Sequence, residues 1–161
     1  MTRPTPTPPQ AFELEFVEGL RHVFEERIPF NRVLGIQVVE LAADHVMARV
    51  DMRPDLVGHF SYHRLHGGVI SATLDAVGGV AVMAAIGARH MDEPPARRLE
   101  RFLKLGTIDL RIDYLRQGIG DFFTARGEVL RLGSRVASTR MEFHGPDGTL
   151  IATGAAAYIV S

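Results

Sequence analysis

The run His66-Gly67-Gly68, with Asp75 nine positions after the histidine, is the constellation best suited to chemistry in this 161-residue chain. It opens a long apolar stretch that reads as a helix, and a helix start presents backbone N–H groups without partners. Glycines there let a ligand oxygen approach those donors, which makes an oxyanion site for a carbonyl. The same glycines would also serve a tight loop-to-helix turn and nothing more. Asp75 lies about two turns into the helix, too deep for an N-cap or a first-turn dipole partner. Positions 71, 72, 78 and 79 are Ser, Ala, Gly and Gly, so no basic residue pairs with it along the helix. A buried carboxylate without a partner is costly. Asp75 therefore lines a wet cleft or meets a group from elsewhere, and lone ionisable groups in apolar surroundings are functional candidates. The alternative is a structural hydrogen bond, for instance to Ser71, or a polar contact between subunits.

Other chemistries are poorly supplied. His59, His63 and His66 have a spacing that suits a metal, but they sit in an irregular stretch where Asp55 is the only nearby carboxylate, so no metal site is expected. The chain has no Cys, which excludes thiolate nucleophiles, disulfides, Cys-bound zinc and iron–sulfur clusters. Lys104 is the only lysine, so Schiff-base chemistry would rest on it alone. No G-x-S-x-G elbow, H-E-x-x-H, Walker loop or strand-linked G-x-G-x-x-G occurs, and Gly118-Ile119-Gly120 reads as a turn. Net charge is −1, from 18 basic and 19 acidic residues, which leaves no cationic excess for nucleic acid. Arg97, Arg98 and Arg101, with Glu100 among them, form a local basic patch.

The elements that must position these residues follow from patterning. The length fits one domain, and 46% hydrophobic with 23% charged residues is a globular composition. Residues 1–10 are Pro-rich, lack an apolar signal core and read as a disordered leader; 11–161 read as a single domain. Over 11–27, Phe12, Phe16, Leu20, Val23 and Phe24 recur near a helical period until Pro29 ends it. Residues 34–41 are extended, and 45–52 alternate with Val46, Ala48, Val50 and Met52 on one face. An irregular loop spans 54–65. The long helix covers 67–86 and ends at Gly87. Residues 67–88 carry a single charge, Asp75, and could span a bilayer by length. A central Asp costs about 2.5–3.5 kcal/mol on insertion scales. With Gly78-Gly79 inside and His66 at the entrance, the stretch reads as the buried helix of a soluble, cytoplasmic protein. A charged connector, 88–103, leads to four strands: three that alternate, at 107–114, 122–132 and 135–144, and a last one at 150–160 with a small-residue middle. Ile108, Leu110, Ile112 and Tyr114 share one face of the first of these. The order is helix, two strands, long helix, four strands: an α+β fold with a mostly antiparallel sheet of about six strands curved round the helix.

The segment LHGGVISATLDAVGG, 65–79, resembles the helix-start signature of hotdog-fold acyl-CoA thioesterases of the PaaI-like and 4-hydroxybenzoyl-CoA thioesterase superfamily. GTIDLRIDYLRQ, 106–117, resembles that family's next strand, with Gln117 where a proline is usual. The resemblance covers roughly residues 30–160. It implies a homodimer or dimer of dimers, with chains paired edge to edge and active sites at the boundary. Gly67, with Gly68, would polarise the thioester carbonyl, His66 would orient the site, and Asp75 would be base or nucleophile. Thr107 would hold the water. His59 stands in the loop where relatives often carry Asn or Gln and contact substrate. The connector 88–103 is longer than usual and would shape the acyl pocket, while Phe12, Phe16, Phe24 and Phe102 could cover an aryl ring or an alkyl chain. Arg131, Ser134 and Arg135 around the Gly133 turn, plus Arg116, are candidates for the CoA phosphates. No cofactor is expected, and a thioester is activated enough that no covalent serine or cysteine is required. The rival readings are an acyl-thioester hydratase or dehydratase on the same fold, and a non-catalytic acyl-CoA-binding dimer.

Overall fold

Two short helices begin residues 11–161, the part described in this computed structural model; the expected leader at 1–10 lies outside the described residues. Helix α1 (Leu14–Arg21) continues as a π-helical turn over His22–Arg27. Pro29 then starts a second helix, α2 (Pro29–Leu34), rather than only ending the first. Proline suits a first helical position because its φ is preset and the N–H it lacks would have no partner there. Strands β1 (Gln37–Leu41) and β2 (His45–Asp51) follow. The stretch expected as irregular, 54–65, holds a 3₁₀ turn and a two-stranded ribbon, β3 (Val57–His59) with β4 (Arg64–Leu65). The long helix α3 (Gly67–Arg89) runs past Gly87 instead of ending there. Gly87 makes room for Phe16 of α1, whose ring a Cβ would overlap. The connector is partly helical, with α4 (Pro95–Glu100) and a 3₁₀ turn over Arg101–Lys104. Four strands complete the chain: β5 (Gly106–Tyr114), β6 (Phe122–Leu132), β7 (Val136–His144) and β8 (Leu150–Ile159).

Six strands form one antiparallel sheet in the order β1-β2-β6-β7-β8-β5. Alternation explains its inner face: Val46, Ala48 and Val50 on β2, Phe123 and Ala125 on β6, and Ala137, Met141 and Phe143 on β7 are all buried. α3 packs against five of these strands, and Leu74, Val77, Val80 and Val82 are closed off from solvent. The helix is long and apolar enough to cross a membrane, but the sheet covers most of it. This is the α+β arrangement of six strands round a central helix that the pattern implies.

Strand β5 departs from simple alternation. Thr107 pairs with Tyr158 and Asp109 with Ala157, so Ile108 is an extra residue, a β-bulge. Strict alternation would put Thr107 opposite Leu110 and Ile112; the bulge turns it to the face that α3 covers. Ile108 is left 57% exposed on β5, which pairs with β8 on one side and, among the described residues, with no strand on the other.

The expected basic patch is not one. Arg98 is fully buried, donates to Glu13, and lies 4.5 Å over the Phe16 ring. Arg97 pairs with Glu100, and Arg101 with Glu93. Arg98 thus ties α1 to α4, and the neighbouring cations are neutralised locally.

Candidate active site

The entrance of α3 carries one open donor. His66 is the N-cap, and its Nδ1 accepts the Gly68 N–H at 2.8 Å. An accepting Nδ1 is unprotonated, so the neutral ring carries its proton on Nε2. The sequence brings two glycine donors to this turn, but His66 has already taken one of them. Among the described residues nothing accepts the Gly67 N–H, as its first helical position predicts. The Gly67 carbonyl accepts from Tyr114 Oη at 2.9 Å, which ties β5 to the helix start.

Asp75 meets groups from elsewhere rather than from its own helix. Thr107 Oγ1 donates to Asp75 Oδ1 at 2.9 Å. Tyr158 Oη donates to the Asp75 main-chain oxygen at 2.7 Å and lies 3.3 Å from Oδ1. Ser71, the partner considered from sequence, donates instead to the Gly68 carbonyl at 3.1 Å. Among the described residues no hydrogen bond reaches Asp75 Oδ2. Burial, and next the Asp75 charge, push the Tyr158 phenol far above its usual 10.0, so it remains a donor.

An apolar cavity of about 310 Å³ opens at Asp75 and Thr107. Ala72, Ala76, Gly79, Val80 and Met83 line it as one stripe of α3, and Phe24, Ile28 and Phe30 close it from the N-terminal segment. The connector 88–103 contributes nothing to this wall, contrary to expectation. Of the four phenylalanines considered, only Phe24 lines it; Phe12 and Phe102 pack on Phe16, with ring centroids 4.8 and 6.3 Å away.

A second cleft, about 480 Å³, lies before Gly67 and collects His59, Arg64, His66, Tyr114 and Arg116. His59 Nδ1 is buried without a partner, its ring beside Phe60 and Tyr62. Ser134 lines a different cavity of about 580 Å³ with Arg89 and Lys104, at the far end of α3. Arg131 and Arg135 line none of these three. Within one chain the expected phosphate contacts are therefore split: Arg116 sits at the start of the helix and Ser134 about 30 Å away, by the 1.5 Å rise per residue. Among the described residues no three His, Asp or Glu side chains gather as metal ligands.

A six-stranded antiparallel sheet packed round a long buried helix is the hotdog fold. Residues 62–152 match the thioesterase superfamily, and the chain belongs to it. The medium/long-chain acyl-CoA thioesterase YigI of Salmonella typhimurium is 37% identical over 138 residues, covering 86% of this chain and 89% of that protein. Its namesake in Escherichia coli K12 is 36% identical over the same shares. A crystal structure from Shewanella oneidensis, described as related to the thioesterase superfamily, superposes with a TM-score of 0.84 at 38% identity, covering 93% of this chain and all of that one.

Proposed function

We propose that the protein hydrolyses medium- to long-chain acyl-CoA thioesters at a site that two copies build together. The observation that carries this is the apolar cavity lined by Asp75, a carboxylate with one oxygen, Oδ2, that no hydrogen bond reaches among the described residues. A thioester needs a polarised carbonyl and a basic oxygen near its carbon. The Gly67 N–H supplies the first and Asp75 Oδ2 the second. Oδ2 takes a proton from the attacking water, or attacks the carbonyl itself. In the first route the tetrahedral intermediate expels the CoA thiolate, which recovers that proton from Asp75. In the second, the CoA thiolate leaves as a mixed anhydride forms on Asp75, and water then hydrolyses the anhydride to the free acid and restores the carboxylate. The acyl chain lies in the cavity beyond Asp75, and the cleft with His59, Arg64 and Arg116 receives the CoA arm.

Gly67 and Asp75 are eight residues apart on one straight helix, about 12 Å along its axis. One thioester carbonyl cannot touch both in the same chain. The reading therefore joins the Gly67 of one copy to the Asp75 of another, through the open edge of β5. That edge offers unpaired backbone groups beside the exposed Ile108 and Tyr114, a template for a second strand. The dimer reading for this protein rests on that distance and that edge.

Asp75→Asn tests the assignment. The amide keeps an oxygen for Thr107 but loses the charge. Thiol release across a panel of acyl-CoAs should fall by at least about 10²-fold in kcat. Binding of an unreactive CoA thioether should persist, and Tm should hold or rise, since a neutral amide is cheaper to bury than a carboxylate. Near-wild-type turnover in the folded variant would refute the assignment.

A further inference from the structure

Tyr158 sits 83 residues from Asp75 in sequence and directly across from Thr107 in the β5–β8 register. This cross-strand pair aims two hydroxyls at one residue of the helix. Thr107 gives its proton to Oδ1, and Tyr158 shares its proton between the main-chain oxygen, at 2.7 Å, and Oδ1, at 3.3 Å. The phenol is buried, and the space for its hydroxyl exists because residue 78 is glycine. A Cβ built on Gly78 would strike Tyr158 Oη and lie 3.1 Å from Met141 Sδ. Gly79 beside it is different, since a Cβ there would meet the same ring only at 3.7 Å. The helix has thus given up a side chain at the one position where the hydroxyl enters.

We propose that Tyr158 is a positioning residue for hydrolysis. With Thr107 it fixes the backbone and Oδ1 of Asp75, so that Oδ2 alone faces the substrate. The inference rests on the reading of Asp75 as the reacting carboxylate. A carboxylate on a two-bond stem can rotate, and each rotation exchanges its oxygens or turns both away. Two donors arriving from one sheet face leave one productive orientation. The phenol stays protonated because burial and the adjacent negative charge oppose its ionisation, so this donor is present at every working pH. A misplacement of about 1 Å at a reacting group costs up to 10²-fold in rate. Loss of one of two donors should therefore show in kcat. Tyr158 also lines the acyl cavity, but a phenylalanine keeps the ring that borders it, so KM should change little.

Tyr158→Phe keeps the ring and removes only the hydroxyl. The expected result is a fall in kcat of about 10-fold or more, with KM within about twofold and a folded, cooperative melt. Gly78→Ala pushes on the hydroxyl from the helix side and should lower both kcat and Tm. In the double variant the new methyl occupies the space the hydroxyl left. Tm should then recover relative to Gly78→Ala, while kcat remains at the Tyr158→Phe level. A packing role alone would restore both together, and that result would overturn the proposal. So would wild-type kcat in Tyr158→Phe. Asp75→Asn measured beside them separates the two failures: full turnover there removes the carboxylate reading and the positioning role with it. An inactive Asp75→Asn beside a fully active Tyr158→Phe removes only the role of Tyr158.

Discussion

Replacing Gly79 by alanine should make the protein more stable and less able to use long acyl chains. Gly79 is buried in the interior of α3 and lines the apolar cavity. A Cβ at this position meets Tyr158 Cε1 at 3.7 Å and Leu105 Cδ2 at 3.8 Å, ordinary van der Waals contacts. Nothing need move, so the helix gains the alanine preference of about 0.8–1 kcal/mol. For a chain of this length that is a Tm rise of about 2–4 °C. The cavity runs along α3 from Asp75 to Met83, about 12 Å. Tetrahedral carbons joined by C–C bonds of about 1.5 Å advance about 1.3 Å each, so about nine carbons fit. Gly79 stands about 6 Å from Asp75, near the fifth carbon. A methyl there displaces two or three methylenes of a longer chain. At about 0.8 kcal/mol each the loss is ~2 kcal/mol, or about 30-fold in kcat/KM. Acetyl- and butyryl-CoA should be unaffected. The assay is thiol release from acetyl- to palmitoyl-CoA, with calorimetry on the same preparations. An unchanged ratio of long- to short-chain kcat/KM would show that the acyl chain does not pass Gly79. A lowered Tm would contradict the free space on which the estimate stands.

The shared site predicts complementation. Gly67→Pro removes the open N–H at a helix position where proline is well accommodated, after a His66 already extended at φ −65° and ψ 135°. Gly67→Pro and Asp75→Asn should each be nearly inactive, yet re-formed together in equal amounts they should recover about a quarter of wild-type activity, since half the dimers are mixed and each has one intact site. No recovery on mixing would place both groups in one chain's site. Stability should fall on acidification. Arg98, chiefly through its hydrogen bond, holds the Glu13 carboxyl below its usual 4.5. A depressed carboxylate contributes stability above the unfolded value and loses it as pH falls through the folded one. Melting scans should show a Tm decline below about pH 4.5 that is shallower in Glu13→Gln, and identical declines in both proteins would contradict the link.

The local signals were the legible ones. Strand alternation in β2 and the unbroken apolar run of α3 gave the sheet and its central helix, because periods of two and 3.6 residues are visible within ten positions. The glycine pair and a carboxylate stranded in that run marked the helix start and Asp75 for the same reason. What sequence hid depends on register or distance. The bulge at Ile108 reverses the facing of Thr107, and one extra residue in a strand leaves no compositional trace. Tyr158 reads as one more inward residue of β8; only strand pairing shows that it reaches Asp75. Arg98 looked solvated because its partner, Glu13, lies 85 residues away. α2 is six residues long, too short for periodicity to declare it beyond Pro29.

The cavity's outer wall has an evolutionary consequence. Phe24 comes from the π-helical turn, Phe30 from α2 and Ile28 from the residue between them, a stretch that carries none of the groups proposed to face the thioester. Gly67 and Asp75 lie on α3, and Thr107 on β5. With the acyl chain in this cavity, as proposed, drift at positions 24–30 would retune which fatty chains are accepted while the reaction itself is inherited unchanged. A lineage could move between chain lengths by altering a few apolar side chains before its first strand, with no intermediate that has lost the enzyme.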